Sequence, residues 1–151
     1  MKKIIFLAIV VFFYNCSSVL HSNVSYQTRN DFKGVAENTK NEFLKQKNAT
    51  SNTKSVLILS QGFKGEKIIV KQNEKIIYSE YPISHVKTKY ADSFSFNNTV
   101  DLILYDNYSK EEITIKSDKI GNNKFIYVMK YIENEKTKYK ITVSNTLRAM
   151  K

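Results

Sequence analysis

The chain has one cysteine, Cys16, one proline, Pro82, four glycines and no tryptophan in 151 residues. A single thiol cannot close an internal disulfide. With His21 and His85 as its only imidazoles, the chain is also short of ligands for a Cys/His zinc site. Neither histidine stands in a catalytic motif, and no nucleophile-elbow sequence occurs. No glycine-rich phosphate loop is present; Gly62 and Gly65 in "SQGFKGEK" read as an ordinary loop. Adjacent Glu111 and Glu112 point to opposite faces of a strand, so they cannot flank one bond. Asp101 and Asp106 are separated by a strand and a turn, with no sign of convergence. These absences leave no catalytic residue, no metal site and no cofactor site, and the chain reads as non-enzymatic.

Acidic residues are also few, 14 against 24 basic ones, for a net charge of +10. Nucleic-acid recognition favours the arginine fork, yet only Arg29 and Arg148 are arginines. The lysines are scattered singly among acids, as in "GEKIIVKQNEKIIYSE". They read as a solvated surface with no nucleic-acid partner. The functional alternative is a weak pull towards anionic lipid or polysaccharide that fades with salt.

Only one long apolar run exists. Lys2 and Lys3 precede Ile4 to Tyr14, and Cys16 and two serines follow. Eleven residues make roughly 16 Å of helix, whereas a spanning helix needs about 20 residues. The run is therefore a secretory signal. Three fates are open to Cys16: cleavage before it with lipidation, cleavage after Ser18 that discards it, or an inert place within the signal. The first follows from a resemblance. Lys2-Lys3, the apolar run and Cys16-Ser17-Ser18 resemble the signal peptides of bacterial lipoproteins, although Phe13 and Asn15 stand where that family prefers Leu and a small residue. The resemblance covers residues 1–18. It implies a diacylglycerol on the Cys16 thiol, removal of residues 1–15 and acylation of the new amine, so that the membrane is reached through lipid. Ser17 in place of Asp after the cysteine implies the outer membrane. The lack of an acidic cluster there implies the periplasmic face.

Residues 16–30 read as the lipidated N-terminus and a polar tether. Phe32, Val35, Ala36, Thr39 and Phe43 fall on one helical face, which predicts a helix over 31–46 with Asn30 as N-cap and a linker to residue 53. From residue 54 the apolar period becomes two. Val56 to Leu59, Ile68 to Val70, Ile76 to Tyr78, Phe94 to Phe96, Val100 to Leu104, Ile113 to Ile115, Phe125 to Met129 and Tyr139 to Val143 read as strands. Gln72 to Lys75, Asn97-Asn98, Asp106 to Ser109 and Glu133 to Glu135 supply turn chemistry. The repeated "EKII" at Glu66 and Glu74 reads as two arms of one hairpin. Seven or eight short strands predict an antiparallel β-sandwich over 54–151, with a small β-barrel as the alternative.

The longest connector in the β region, Tyr81 to Asp92, holds the proline, a histidine and two tyrosines. Tyrosine gives contact area and a hydrogen bond at low entropic cost. Tyr81, His85 and Tyr90 are accordingly the candidate binding residues, against the plainer reading of an irregular edge. The functional expectation is a lipid-anchored envelope protein, a binding or structural module with a protein or polysaccharide partner. The alternative is a carbohydrate- or ligand-binding domain, suggested by ten tyrosines; an enzyme with an unrecognised site comes third.

Overall fold

The computed structural model describes residues 23–149. The signal segment, Cys16 and the start of the tether lie outside them.

The protein is mainly β, with nine strands and two helices in the described residues. In chain order they are β1 (Val24–Thr28), α1 (Glu37–Gln46), β2 (Lys54–Leu59), β3 (Ile68–Gln72), β4 (Lys75–Glu80), β5 (Asp92–Asn97), β6 (Leu102–Asp106), β7 (Glu111–Ile115), α2 (Ser117–Ile120), β8 (Phe125–Glu133) and β9 (Lys136–Ser144). They form a five-stranded sheet, β1-β9-β8-β2-β5, and a four-stranded sheet, β4-β3-β6-β7. Neither closes into a barrel. Most neighbours are antiparallel, but β1 pairs with β9, and β2 with β8, in parallel.

The "VLIL" run of β2 has a simple cause. Its period of two sends Leu57 and Leu59 into the core between the sheets and Val56 and Ile58 into a second cluster on the outer face. β8 divides in the same way, Ile126 and Val128 inward, Phe125 and Tyr127 outward. A strand buried on both faces is continuously apolar. Leu44 of α1 and the following Ala49 cover that outer face, with Phe32, Val35 and Phe43 packed beside them. The segment predicted as a linker is thus part of the body.

Four further expectations are corrected. Residues 24–28, placed in the tether, form β1 beside β9. The helix begins at Glu37, not near residue 31, because Gly34 bridges to Arg148 and holds the preceding backbone extended. Asn30 is a latch rather than an N-cap: its side-chain oxygen accepts the Asn145 N–H at 2.7 Å. Asn97-Asn98 closes no hairpin, since β5 pairs with β2 in one sheet and β6 with β3 in the other. There the chain crosses between sheets, and buried Asn98 fixes the crossing by donating to the Asn52 carbonyl at 2.9 Å.

The hairpins at Gln72 to Lys75 and Glu133 to Lys136 match the sequence reading. Asn73, Glu74, Asn134 and Glu135 all have positive φ, the backbone of the two-residue turn that suits strand twist. The two "EKII" copies lead into the paired strands β3 and β4.

Candidate functional site at the hairpin end

The strand registers bring several loops to one end of the molecule. Ile68 opposes both Glu80 and Asp106, and Asp106 opposes Glu111. Lys64 bridges to Ile83. The β8–β9 turn lies at the same end, because Lys130 and Tyr139 of that hairpin both reach Asp106. Two adjoining hollows open here, of about 580 and 410 Å³. They share Gly65, Glu66 and Tyr108.

An ionic cluster forms their floor. The Lys130 ammonium donates to Asp106 Oδ2 at 2.8 Å, and the Tyr139 hydroxyl donates to the same oxygen at 2.9 Å. Glu66 holds the other side of the ammonium in a second ion pair. Asp106 is fully buried, and the Lys130 side chain is 10% exposed. Asp106 Oδ1 accepts the N–H groups of Tyr108 and Ser109 at 2.9 and 3.3 Å, so the carboxylate also shapes the β6–β7 turn. Glu66 is oriented by the Lys64 N–H, 2.7 Å from its Oε2. Burial pushes the Lys130 ammonium down, to about 8, and nearby Lys64 adds to this. The two carboxylates in contact with it act in the opposite direction. Burial likewise pushes the Tyr139 phenol up, and the charge of Asp106 reinforces the shift.

The approach of the loop before β3 depends on one glycine. Gly62 has φ of 93°, and a Cβ there would lie 1.8 Å from the Lys130 carbonyl oxygen. Any side chain would push the loop carrying Glu66 away from β8.

None of these ionic partners was singled out together from sequence, although each interrupts a visible pattern. Lys130 continues the inward set Ile126 and Val128. Asp106 continues Leu102 and Leu104, and Tyr139 shares the phase of Ile141 and Val143. A lysine and an aspartate in core phase on two strands are the signal for a buried pair. Asp101 and Asp106 remain apart, as expected: Asp101 accepts the Ser117 N–H at 2.8 Å and pairs with Lys116 at 2.9 Å. Those bonds to Ser117 and Lys116 hold its carboxyl down, to about 2.

The candidate loop residues do not share a surface. Tyr81 lines the smaller hollow and is 61% exposed. Tyr90 instead packs against the cluster under α1, its hydroxyl 3.0 Å from Ser93 Oγ. His85 is exposed in the loop, with its Nδ1 3.4 Å from the Thr88 N–H. Tyr108, 82% exposed at the junction of the hollows, was missed because it lies in a short turn.

A third hollow, of about 770 Å³, lies near Phe32. The Arg29 and Arg148 guanidiniums stand over the Phe32 ring, at 4.7 and 4.2 Å from its centroid. Arg29 also pairs with Asp31 at 2.8 Å, and Arg148 stacks on Tyr127 as well. Both arginines thus fasten the segment before α1 to the sheet. Arg148 Nε is buried without a hydrogen-bond partner among the described residues.

Among the described residues, no group of three His, Cys, Asp or Glu side chains is placed to hold a metal. No helix there is long and apolar enough to cross a membrane. No protein-family model and no curated protein matches the chain, so the site is interpreted from its own geometry.

Proposed function

We propose that this chain is a non-enzymatic, lipid-anchored β-sandwich module of the bacterial envelope that holds a partner at the membrane surface. The single observation that supports a binding role is the hairpin end itself, where exposed aromatics rim hollows whose charged floor is internally paired. A catalytic lysine needs a free lone pair, whereas the Lys130 ammonium is engaged by two carboxylates. The anchor is assigned to Cys16; Ser17 after it supports the outer membrane, and the lack of a following acidic cluster supports its periplasmic face. A lipoprotein N-terminus with more than one acyl chain attaches stably, where a single chain binds only marginally.

The test is incorporation of radiolabelled palmitate by the full chain expressed in a bacterium. Labelling is expected for the natural sequence and not for Cys16→Ser. Equal labelling of both, or of neither, removes the anchor. A second reading, a carbohydrate-binding domain, is favoured by Tyr81 and Tyr108 beside Asn107 in the smaller hollow. It predicts polysaccharide binding that is lost in Tyr108→Ala, and silence of a glycan array counts against it.

A further inference from the structure

The hairpin end has a second property. Tyr81, Ile83, Tyr108 and Ile132 project from it, between 61% and 82% exposed. They come from three separate segments, the β4–β5 connector, the β6–β7 turn and the end of β8, yet all lie around the same pair of hollows: Tyr81, Tyr108 and Ile132 line them, and Ile83 is 3.4 Å from where a Gly65 Cβ would be. Lys64, Lys67 and Lys110 stand among them. Of the acids nearby, Glu80 and Glu135 are exposed and three others are engaged. Glu66 is turned inward onto Lys130, Glu133 pairs with Lys138 at 2.6 Å, and Glu111 accepts the Asn23 amide at 3.0 Å. Apolar tips interleaved with lysines are the composition of a surface that lies in a lipid headgroup region.

The chain enters the fold at this same end. Asn23 accepts the Tyr139 N–H at 2.7 Å and reaches Glu111 next to the β6–β7 turn. Val24 pairs with Tyr139, three residues from the start of β9, and β1 runs away from the hairpin turn. Seven Cα-to-Cα steps, through the six residues 17–22, separate Cys16 from Asn23. Fully extended they reach roughly 25 Å, and as a flexible coil about 15 Å. A protein held at Cys16 therefore keeps its hairpin end near the bilayer.

We propose that this end docks on an anionic bilayer, with Tyr81, Ile83, Tyr108 and Ile132 in the headgroup layer and Lys64, Lys67 and Lys110 facing lipid phosphates. The docking rests on the anchored reading above and adds an orientation to it: β1 and the sheets rise from the membrane, and the β3–β4 turn is the far end.

The absence of tryptophan makes the test direct. Single reporters Tyr108→Trp, Ile132→Trp and Ile76→Trp are made in chain 16–151, which contains every described element. Ile76, 60% exposed beside the β3–β4 turn, is the far-end control. Each protein is coupled through the Cys16 thiol to a maleimide phospholipid in vesicles containing phosphatidylglycerol and brominated lipid. Chemical coupling makes the result independent of lipidation in the cell, which palmitate labelling reads separately. Docking predicts quenching several-fold stronger for Tyr108→Trp and Ile132→Trp than for Ile76→Trp, with the difference reduced in phosphatidylcholine vesicles or high salt. Equal quenching at all three positions, stronger quenching at Ile76→Trp, or no quenching at any overturns it. Because the two near-end reporters lie on separate elements, Tyr108 in the β6–β7 turn and Ile132 near the end of β8, one misfolded variant leaves the other decisive; circular dichroism identifies it.

Discussion

At the scale of single residues, the buried Lys130 has the largest expected effect. Its ammonium joins Asp106 on β6 to Glu66 in the loop before β3. Removing one member of a buried ionic group leaves the others uncompensated, which costs about 3–5 kcal/mol. Lys130→Met should therefore lower unfolding stability by that amount in urea titration at neutral pH, and a loss below about 1 kcal/mol would mean that water reaches the carboxylates. Asp101 gives a pH dependence instead. Its folded carboxyl is held down, to about 2, by Ser117 and Lys116. The unfolded chain therefore binds that proton more tightly than the folded one. The contribution is complete above an ordinary carboxylate value of about 4 and disappears as pH falls towards 2. Thermal melts of Asp101→Asn against the natural protein should converge across that window; a constant gap from neutral pH to pH 2 contradicts the assignment.

At the scale of elements, the sequence pattern carried most where one segment was sufficient. Asn73-Glu74 and Asn134-Glu135 each close a hairpin locally, so pattern and turn chemistry agree. What was not legible depends on distant partners. The edge β1 does alternate, Val24, Tyr26 and Thr28, but over only five polar-rich residues. Its place is set by β9, more than a hundred residues away. The parallel β2–β8 ladder is equally invisible locally, as is the convergence of Glu66, Asp106, Lys130 and Tyr139 from four separate segments. The helical stripe was seen, yet its first turn was overruled by the Gly34–Arg148 bridge. α1 ends where Asn48 adopts a φ of 52° and the Ala49 N–H bonds to the Leu44 carbonyl at 2.8 Å. Because Leu44 seals the outer face of the large sheet, Leu44→Ala should cost about 2–4 kcal/mol in chemical denaturation. A chain starting at residue 54 would lose that cover and β1 as well. It should be insoluble or aggregate by light scattering where chain 16–151 stays monodisperse; a soluble, cooperatively melting 54–151 fragment would contradict the packing described.

At the scale of the whole molecule, two opposite ends are defined. One bears the N-terminal entry, the hollows and the exposed aromatics; the other bears the β3–β4 turn. The proposed anchor at Cys16 gives these ends a direction relative to a membrane, and the proposed function depends on it. The most direct measurement is mass spectrometry of the N-terminal peptide of the full chain expressed in a bacterium and extracted from its membranes. The account predicts a peptide that begins at Cys16 and carries a thioether-linked diacylglycerol, with an acylated amine. An unmodified peptide beginning at Val19, from cleavage after Ser18, would contradict it.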